Sequence, residues 1–237
     1  MALAPPDASD PSHRRYRLVA FDMDDTLFPE IEYVRSGYAA VAGHIAQIAA
    51  VPAERVLSRL WFYFESSDRR KVFDAVLSEF DLAERLSVPS LVEIYRNHQP
   101  RIRLRADAVE VLTRLRAANA LLGVVTDGPL VMQQRKTHAL GLAGYVDRII
   151  FTDALPPGCA KPSPVPFQRL MDEFAVPADS CMYVADNPRK DFLGPRQLGW
   201  FTVQVLSDGG IYCREVPPAG GEPHVVVRSL REVLSLG

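Results

Sequence analysis

At 237 residues the chain can bury a substantial core in one or two domains, and 48% hydrophobic with 24% charged residues excludes a disordered protein. A formal net charge of -2 sets up no basic field, so nucleic acid is not an implied partner; Cys159, Cys181 and Cys213 lack paired spacing and support neither a disulfide framework nor a zinc site. No apolar run reaches the ~18 residues of a membrane span, and the start lacks the basic and apolar blocks of a signal peptide, so a soluble cytoplasmic protein, monomer or homodimer, is expected.

Residues 1–13, rich in Ala, Pro, Asp and Ser, are expected to form a disordered tail. Leu18 to Phe21 then reads as a short buried strand, ending in Asp22-Met23-Asp24-Asp25-Thr26. Burying unpaired carboxylates is costly, and no Lys or Arg follows before Arg35, so this stretch either stays wet or collects a cation. Carboxylates suit hard, oxygen-seeking ions such as Mg2+.

From Glu30 to about Gln99 the periodicity is helical throughout. Ile31, Val34, Tyr38, Val41, Ile45 and Ile48 line one face of an amphipathic helix, and Pro52 opens the next, over about 54–64. Further helices are read over 68–79 and 88–97. Trp61-Phe62-Tyr63-Phe64 reads as core of this region, and Arg69-Arg70-Lys71 as a solvated helix face, with a surface that greets an anion as the other reading.

After Pro100 strands and helices alternate. A helix over Ala106 to Ala118 precedes the apolar run Leu121 to Val125, which ends in Thr126-Asp127-Gly128. A helix over Leu130 to Leu140, a strand at Arg148 to Thr152, a loop carrying Lys161, and a helix over Val165 to Phe174 follow. Cys181 to Ala185 is a strand ending at Asp186; residues 189–198 read as a helix, Phe201 to Leu206 and Val225 to Val227 as strands, and the C-terminus as a helix. Short apolar strands alternating with helices predict a Rossmann-like, doubly wound parallel α/β sheet, whose ligands bind at the carboxyl ends of the strands. Those ends carry Asp22, Thr126, the Thr152-Asp153 pair and Asp186.

Asp22 and Thr126 stand 104 positions apart, whereas a crossover of one helix takes ~30 residues. The surplus predicts a small all-helical cap domain at 30–99, inserted into a core of 14–29 and 100–237. A lid of this kind excludes water and selects substrate.

The stretch Asp22-x-Asp24-x-Thr26 after an apolar strand resembles the first motif of the haloacid dehalogenase-like superfamily of phosphohydrolases. Thr126 at a strand end, Lys161 before Pro162 and a helix, and Asp186 with Asp191 resemble its second, third and fourth motifs, in the same order, and a helical cap after the first motif occurs in one large branch. The resemblance implies a Mg2+-dependent phosphatase acting on a small phosphorylated metabolite, a sugar phosphate or a nucleoside monophosphate. It implies Asp22 as nucleophile, Asp24 as the acid and then base, and Lys161 as fixed positive charge beside Asp22. Asp22, the backbone carbonyl of Asp24, and Asp186 would hold Mg2+, with Asp191 behind them orienting a ligand or Lys161. Thr126, with the backbone N–H groups of Asp127 and Gly128, would bind a phosphate oxygen. Ala185 departs from the glycine common before the fourth-motif acid. Asp25 reads as structural and Thr26 as satisfying local backbone. A phosphomutase shares this constellation and stays open, as does a phosphate-binding protein without turnover; a carbon-halide hydrolase needs neither Asp24 nor Asp186.

Overall fold

The computed structural model describes residues 16–66, 68–206, 210 and 212–236; the tail expected at 1–13 lies outside them. Two compact units emerge, one made of the residues up to Glu30 and from Arg103 onward, the other of Ile31–Ile102.

The first unit is built on six strands: β1 (Leu18–Phe21), β2 (Leu121–Thr126), β3 (Arg148–Phe151), β4 (Cys181–Ala185), β5 (Phe201–Val205) and β6 (Val225–Val227). All pair in parallel in the order β3-β2-β1-β4-β5-β6, the doubly wound arrangement in which chain direction across the sheet reverses beside β1. Its central strands β1 and β4 are buried along their whole length, so they read as unbroken apolar blocks rather than as alternating ones.

Register sets the site. Phe21 lies beside Val124 of β2 and Val184 of β4, and Asp22 N donates to Val184 O at 2.9 Å. Asp22, Thr126 and Asp186 therefore leave the sheet at its carboxyl edge within a residue or two of one another. Helices α5 (Ala106–Ala117), α6 (Leu130–Ala139), α7 (Val165–Phe174) and α8 (Leu193–Gln197) accompany the strands. On one face Leu18, Ala20, Val125, Phe167, Leu170, Tyr183 and Trp200 form a continuous apolar core. Gly123 permits it, since a Cβ there would stand 3.1 Å from Leu170 Cδ1.

The second unit contains most of α1 (Glu30–Ala49), then α2 (Ala53–Ser66), α3 (Val72–Glu79) and α4 (Val88–Asn97). Val41, Ile45, Val56, Leu60, Val76 and Leu91 are fully buried in its core. A capping box between Ser87 and Ser90, with Pro89 in the first turn, starts α4.

Three helices differ from the sequence expectation. Residues 68–79 split into a 3-10 turn, Arg69–Lys71, and α3, because the Asp68 side chain caps Arg70 N and begins a new segment. The helix expected over 189–198 is only Leu193–Gln197. Ahead of it, Asn187 N donates to Asp191 Oδ2 at 3.0 Å and Arg189 N to Asn187 Oδ1 at 3.1 Å, a side-chain-held turn that competes with the helix ladder. The C-terminal helix is of the 3-10 type, Leu230–Ser235. The three cysteines are free, and no helix among the described residues is long and apolar enough to cross a membrane.

Candidate active site

A cavity of about 320 Å³ opens at the carboxyl edge of the sheet, lined among others by Asp22, Asp24, Glu30, Asp127, Lys136, Asp186 and Lys190. Asp22 follows β1 directly and Asp186 follows β4 directly; each is 3% exposed. Asp25 takes a left-handed backbone (φ 53°) and its Oδ1 accepts Glu30 N at 2.8 Å, which anchors the start of α1. Thr26, expected to satisfy local backbone, reaches elsewhere: its hydroxyl lies 3.5 Å from Asp186 Oδ1, across to the neighbouring strand end.

Lys161 is buried behind Asp22 rather than lining the cavity. Its Nζ pairs with Asp22 Oδ1 at 2.5 Å and with Asp191 Oδ1 at 2.7 Å, and donates to the Tyr183 hydroxyl at 3.1 Å. Burial works to lower the Lys161 pKa, but Asp191 and Asp22 outweigh it and hold the ammonium well above its ordinary range. The loop carrying Lys161 is held from two sides. Lys161 N donates to Asp127 Oδ1 at 3.2 Å, and Gly194 of α8 packs so closely on the carbonyls of Pro162 and Ser163 that a Cβ would stand 2.7 Å from each.

The second-motif residues are spoken for in a particular way. Gln133 of α6 donates through Nε2 to Thr126 Oγ1 at 2.6 Å, to Asp127 O at 2.7 Å and to Asp24 Oδ2 at 2.9 Å. The Asp127 carboxylate is turned to the Thr152 hydroxyl at 2.6 Å and to Lys161 N, so this side chain is a brace between loops. Gly128 has φ +127°, a backbone that L side chains rarely adopt. Thr126 and Gly128 are not among the residues lining the acidic cavity.

Lys136, one turn beyond Gln133 on α6, is the functional residue least visible in the sequence. Its side chain is 1% exposed and its Nζ pairs with Asp24 Oδ1 at 2.7 Å. Both oxygens of Asp24 are thus engaged by α6, through Lys136 and Gln133. Lys190 lines the cavity and comes to 3.8 Å from Asp127 Oδ2; burial and the Lys161 charge lower its pKa, yet the carboxylates of Asp191, Asp22 and Asp127 leave it raised. The signal available for both was the scarcity of lysine: the chain has four, and Lys136, Lys161 and Lys190 all stand here.

The electrostatics suit a cation at this edge. Burial, with Asp22 and Asp191 next, pushes the Asp186 carboxyl up to about 9, and its Oδ2 is buried with no hydrogen-bond partner among the described residues. Burial likewise raises Asp22 to about 6 against the pull of Lys161, and burial with the Asp24 charge raises Glu30 to about 7. Oxygens of Asp22, Asp186 and Asp191 lie within 4.8 Å of one another. Asp191 is fully buried and committed to Lys161 and Asn187 N, so the oxygens left for a hard divalent ion are those of Asp22 and Asp186. The donor set fits Mg2+.

Residues 16–199 match the family model described as haloacid dehalogenase-like hydrolase. The chain is 26% identical over 196 residues to a glyceraldehyde 3-phosphate phosphatase of Methanocaldococcus jannaschii, covering 79% of this chain and 84% of that protein. It is 29% identical over 196 residues to a phosphoglycolate phosphatase of Xanthomonas campestris, covering 80% and 83%. The fold superposes on the crystal structure of a predicted phosphoglycolate phosphatase from Haemophilus somnus with a TM-score of 0.62 at 20% identity, covering 94% of this chain and 99% of that one. With its parallel core and inserted helical domain, the chain belongs to the haloacid dehalogenase-like hydrolases.

Proposed function

We propose that this protein is a Mg2+-dependent phosphohydrolase that cleaves a small phosphorylated metabolite through an aspartyl-phosphate on Asp22. The observation that carries the reading is the buried ion pair of Lys161 with Asp22, beside an Asp186 oxygen that has no hydrogen-bond partner among the described residues. A phosphate monoester repels anionic nucleophiles, so the chemistry rests on positioning and charge neutralisation.

Lys161 fixes the orientation of Asp22, leaving its second oxygen to attack phosphorus. As the Asp22 O–P bond forms, the P–O bond to the leaving group breaks, and Asp24 delivers a proton to the departing oxygen. Asp24 then takes a proton from the water that attacks phosphorus, the Asp22 O–P bond breaks, and inorganic phosphate leaves. To reach the leaving oxygen, Asp24 must give up Lys136 or Gln133, because both its oxygens are occupied. Lys190 on the cavity wall offers positive charge to the incoming phosphoryl group. Thr126 and Gly128 stand outside that wall, so hydrogen bonds from Thr126 and the backbone N–H groups of Asp127 and Gly128 would need the loop after β2 to shift toward it. Asp22, the Asp24 carbonyl and Asp186 would hold Mg2+, which when bound lets carboxylate and phosphate approach one another.

The names of the relatives support short phosphorylated compounds as first substrates to try, alongside sugar phosphates and nucleoside monophosphates. Phosphate release from an aryl phosphate, measured with and without Mg2+ for the wild type and Asp22→Asn, tests the reading. Mg2+-dependent release abolished in Asp22→Asn supports it, and metal-independent turnover overturns it. Product analysis separates hydrolysis from a phosphomutase, which would return an isomeric phosphate ester.

A further inference from the structure

The helical unit holds a cavity of its own, of about 310 Å³, walled by the rings of Tyr38, Phe64, Phe73 and Tyr95 and rimmed by Arg69 and Arg96. The ring of Tyr38 is central to it, with centroids 5.9 Å from Phe64, 6.1 Å from Phe73 and 6.0 Å from Tyr95. Tyr38 is only 5% exposed, and its hydroxyl has no hydrogen-bond partner among the described residues. The hydroxyl is not one of the sealed, unpartnered polar atoms, so water reaches it through the cavity and a ligand acceptor can take that place.

The rim is incomplete in the complementary sense. Arg70 is tied to Asp68 at 2.8 Å. Neither Arg69 nor Arg96 has a carboxylate partner among the described residues, and the Arg69 guanidinium stands 4.2 Å above the ring of Phe64. Burial pushes the Tyr38 pKa up to about 12 even though the Arg69 charge lowers it, so the hydroxyl keeps its proton and can donate. Two unpaired guanidinium groups at the mouth of an aromatic chamber call for an anionic head on an apolar body. The volume is at the small end for ligand pockets, which run from roughly 300 Å³ upward, and suits a single ring.

We propose that this cavity binds a small aromatic carboxylate, its ring against the aromatic walls, its carboxylate at Arg69 and Arg96, and the Tyr38 hydroxyl donating to it. The site stands on the helical unit alone. The run Arg69-Arg70-Lys71 is on this view divided in function: Arg70 is neutralised locally and Arg69 faces a ligand.

The test uses benzoate, titrated into the full-length wild-type protein and followed by fluorescence of Trp61, whose ring lies 5.5 Å from Tyr38, and by saturation-transfer NMR. Saturable binding in the millimolar range is expected, weakened about tenfold by Arg69→Gln or by Arg96→Gln. Tyr38→Phe should weaken it severalfold, and neutral benzamide should bind about tenfold less tightly than benzoate. Arg69 and Arg96 are exposed, so their variants should keep the wild-type melting curve, which circular dichroism checks. Non-saturable titration, equal affinity for benzamide, or unchanged affinity in both arginine variants would overturn the proposal.

Discussion

Lys161→Met removes a charge without removing much volume, and its consequence can be worked from the burial of its partners. The Lys161 side chain is 0% exposed, Asp22 4% and Asp191 0%. Breaking a buried ion pair by deleting one member costs about 3–5 kcal/mol, since the remaining charge is left in a dry environment. For a protein of this size that corresponds to a melting temperature lower by roughly 6–20 °C. The pH dependence has a definite sign. Burial already raises Asp22 from 3.8 to about 6, and Lys161 is the largest influence holding it down. A carboxyl raised in the folded state contributes stability that is complete below its unfolded value and is lost as pH rises through its folded value. Without Lys161 the Asp22 value climbs further, so the loss extends to higher pH. Melting curves in EDTA should therefore show wild type and variant closest near about pH 5 and furthest apart above about pH 7. Asp191→Asn on the Lys161→Met background should recover part of the loss, by removing a second stranded charge. A variant melting within about 2 °C of wild type across the range, or a gap that widens toward acid, would refute the reasoning.

Mg2+ should raise the melting temperature, and the gain should grow from about pH 5 to about pH 9. Burial holds Asp186 near about 9, so a proton serves where the metal is absent until high pH removes it; a pH-independent gain would count against the metal site. Lys136→Met should lower kcat by about tenfold or more, with the change in kcat exceeding that in KM, because it leaves the acid–base group Asp24 held by Gln133 alone and less well oriented. Steady-state kinetics with an aryl phosphate read this directly, and unchanged kcat would remove Lys136 from the mechanism. Gly194→Ala pushes a Cβ against two backbone carbonyls at 2.7 Å; a loss of about 1–3 kcal/mol in denaturant unfolding is expected, with a drop in turnover as the Lys161 loop shifts.

Much of this architecture was legible because buried parallel strands leave a simple mark. Leu18 to Phe21, Leu121 to Val125 and Cys181 to Ala185 are apolar blocks that stop abruptly at Asp22, Thr126 and Asp186, and the sheet register brings those stops together. What α6 contributes was not legible. Gln133 and Lys136 stand on a helix of which the sequence marks only the extent, and they are 0% and 1% exposed. Their polarity is buried because the facing surface is itself polar, and a periodicity rule that equates polar with exposed cannot see such a face. Asp191 was foreseen as support for Lys161, but on a helix. The turn through Asn187 does the placing instead, and Asx-type turns leave no hydrophobic period to read.

Lysine placement explains why the acids at this edge hold different chemistry. Lys161 takes Asp22 and Asp191, Lys136 takes Asp24, and Lys190 approaches Asp127. Asp186 has no lysine in ion-pair contact among the described residues, and one of its oxygens has no partner at all. Were a fourth lysine to reach Asp186, the cluster would be better neutralised and more stable, and the position where a divalent ion meets Asp22 would be filled by an ammonium, which donates hydrogen bonds but is no Lewis acid. The charge deficit is therefore greatest at Asp186, with Glu30 the other cavity carboxyl that has no ion-pair partner among the described residues. Stability withheld at Asp186 becomes affinity for the metal, and Asp186→Asn should test it: a higher melting temperature in EDTA above about pH 9, where the wild-type carboxyl ionises, together with loss of Mg2+-dependent turnover.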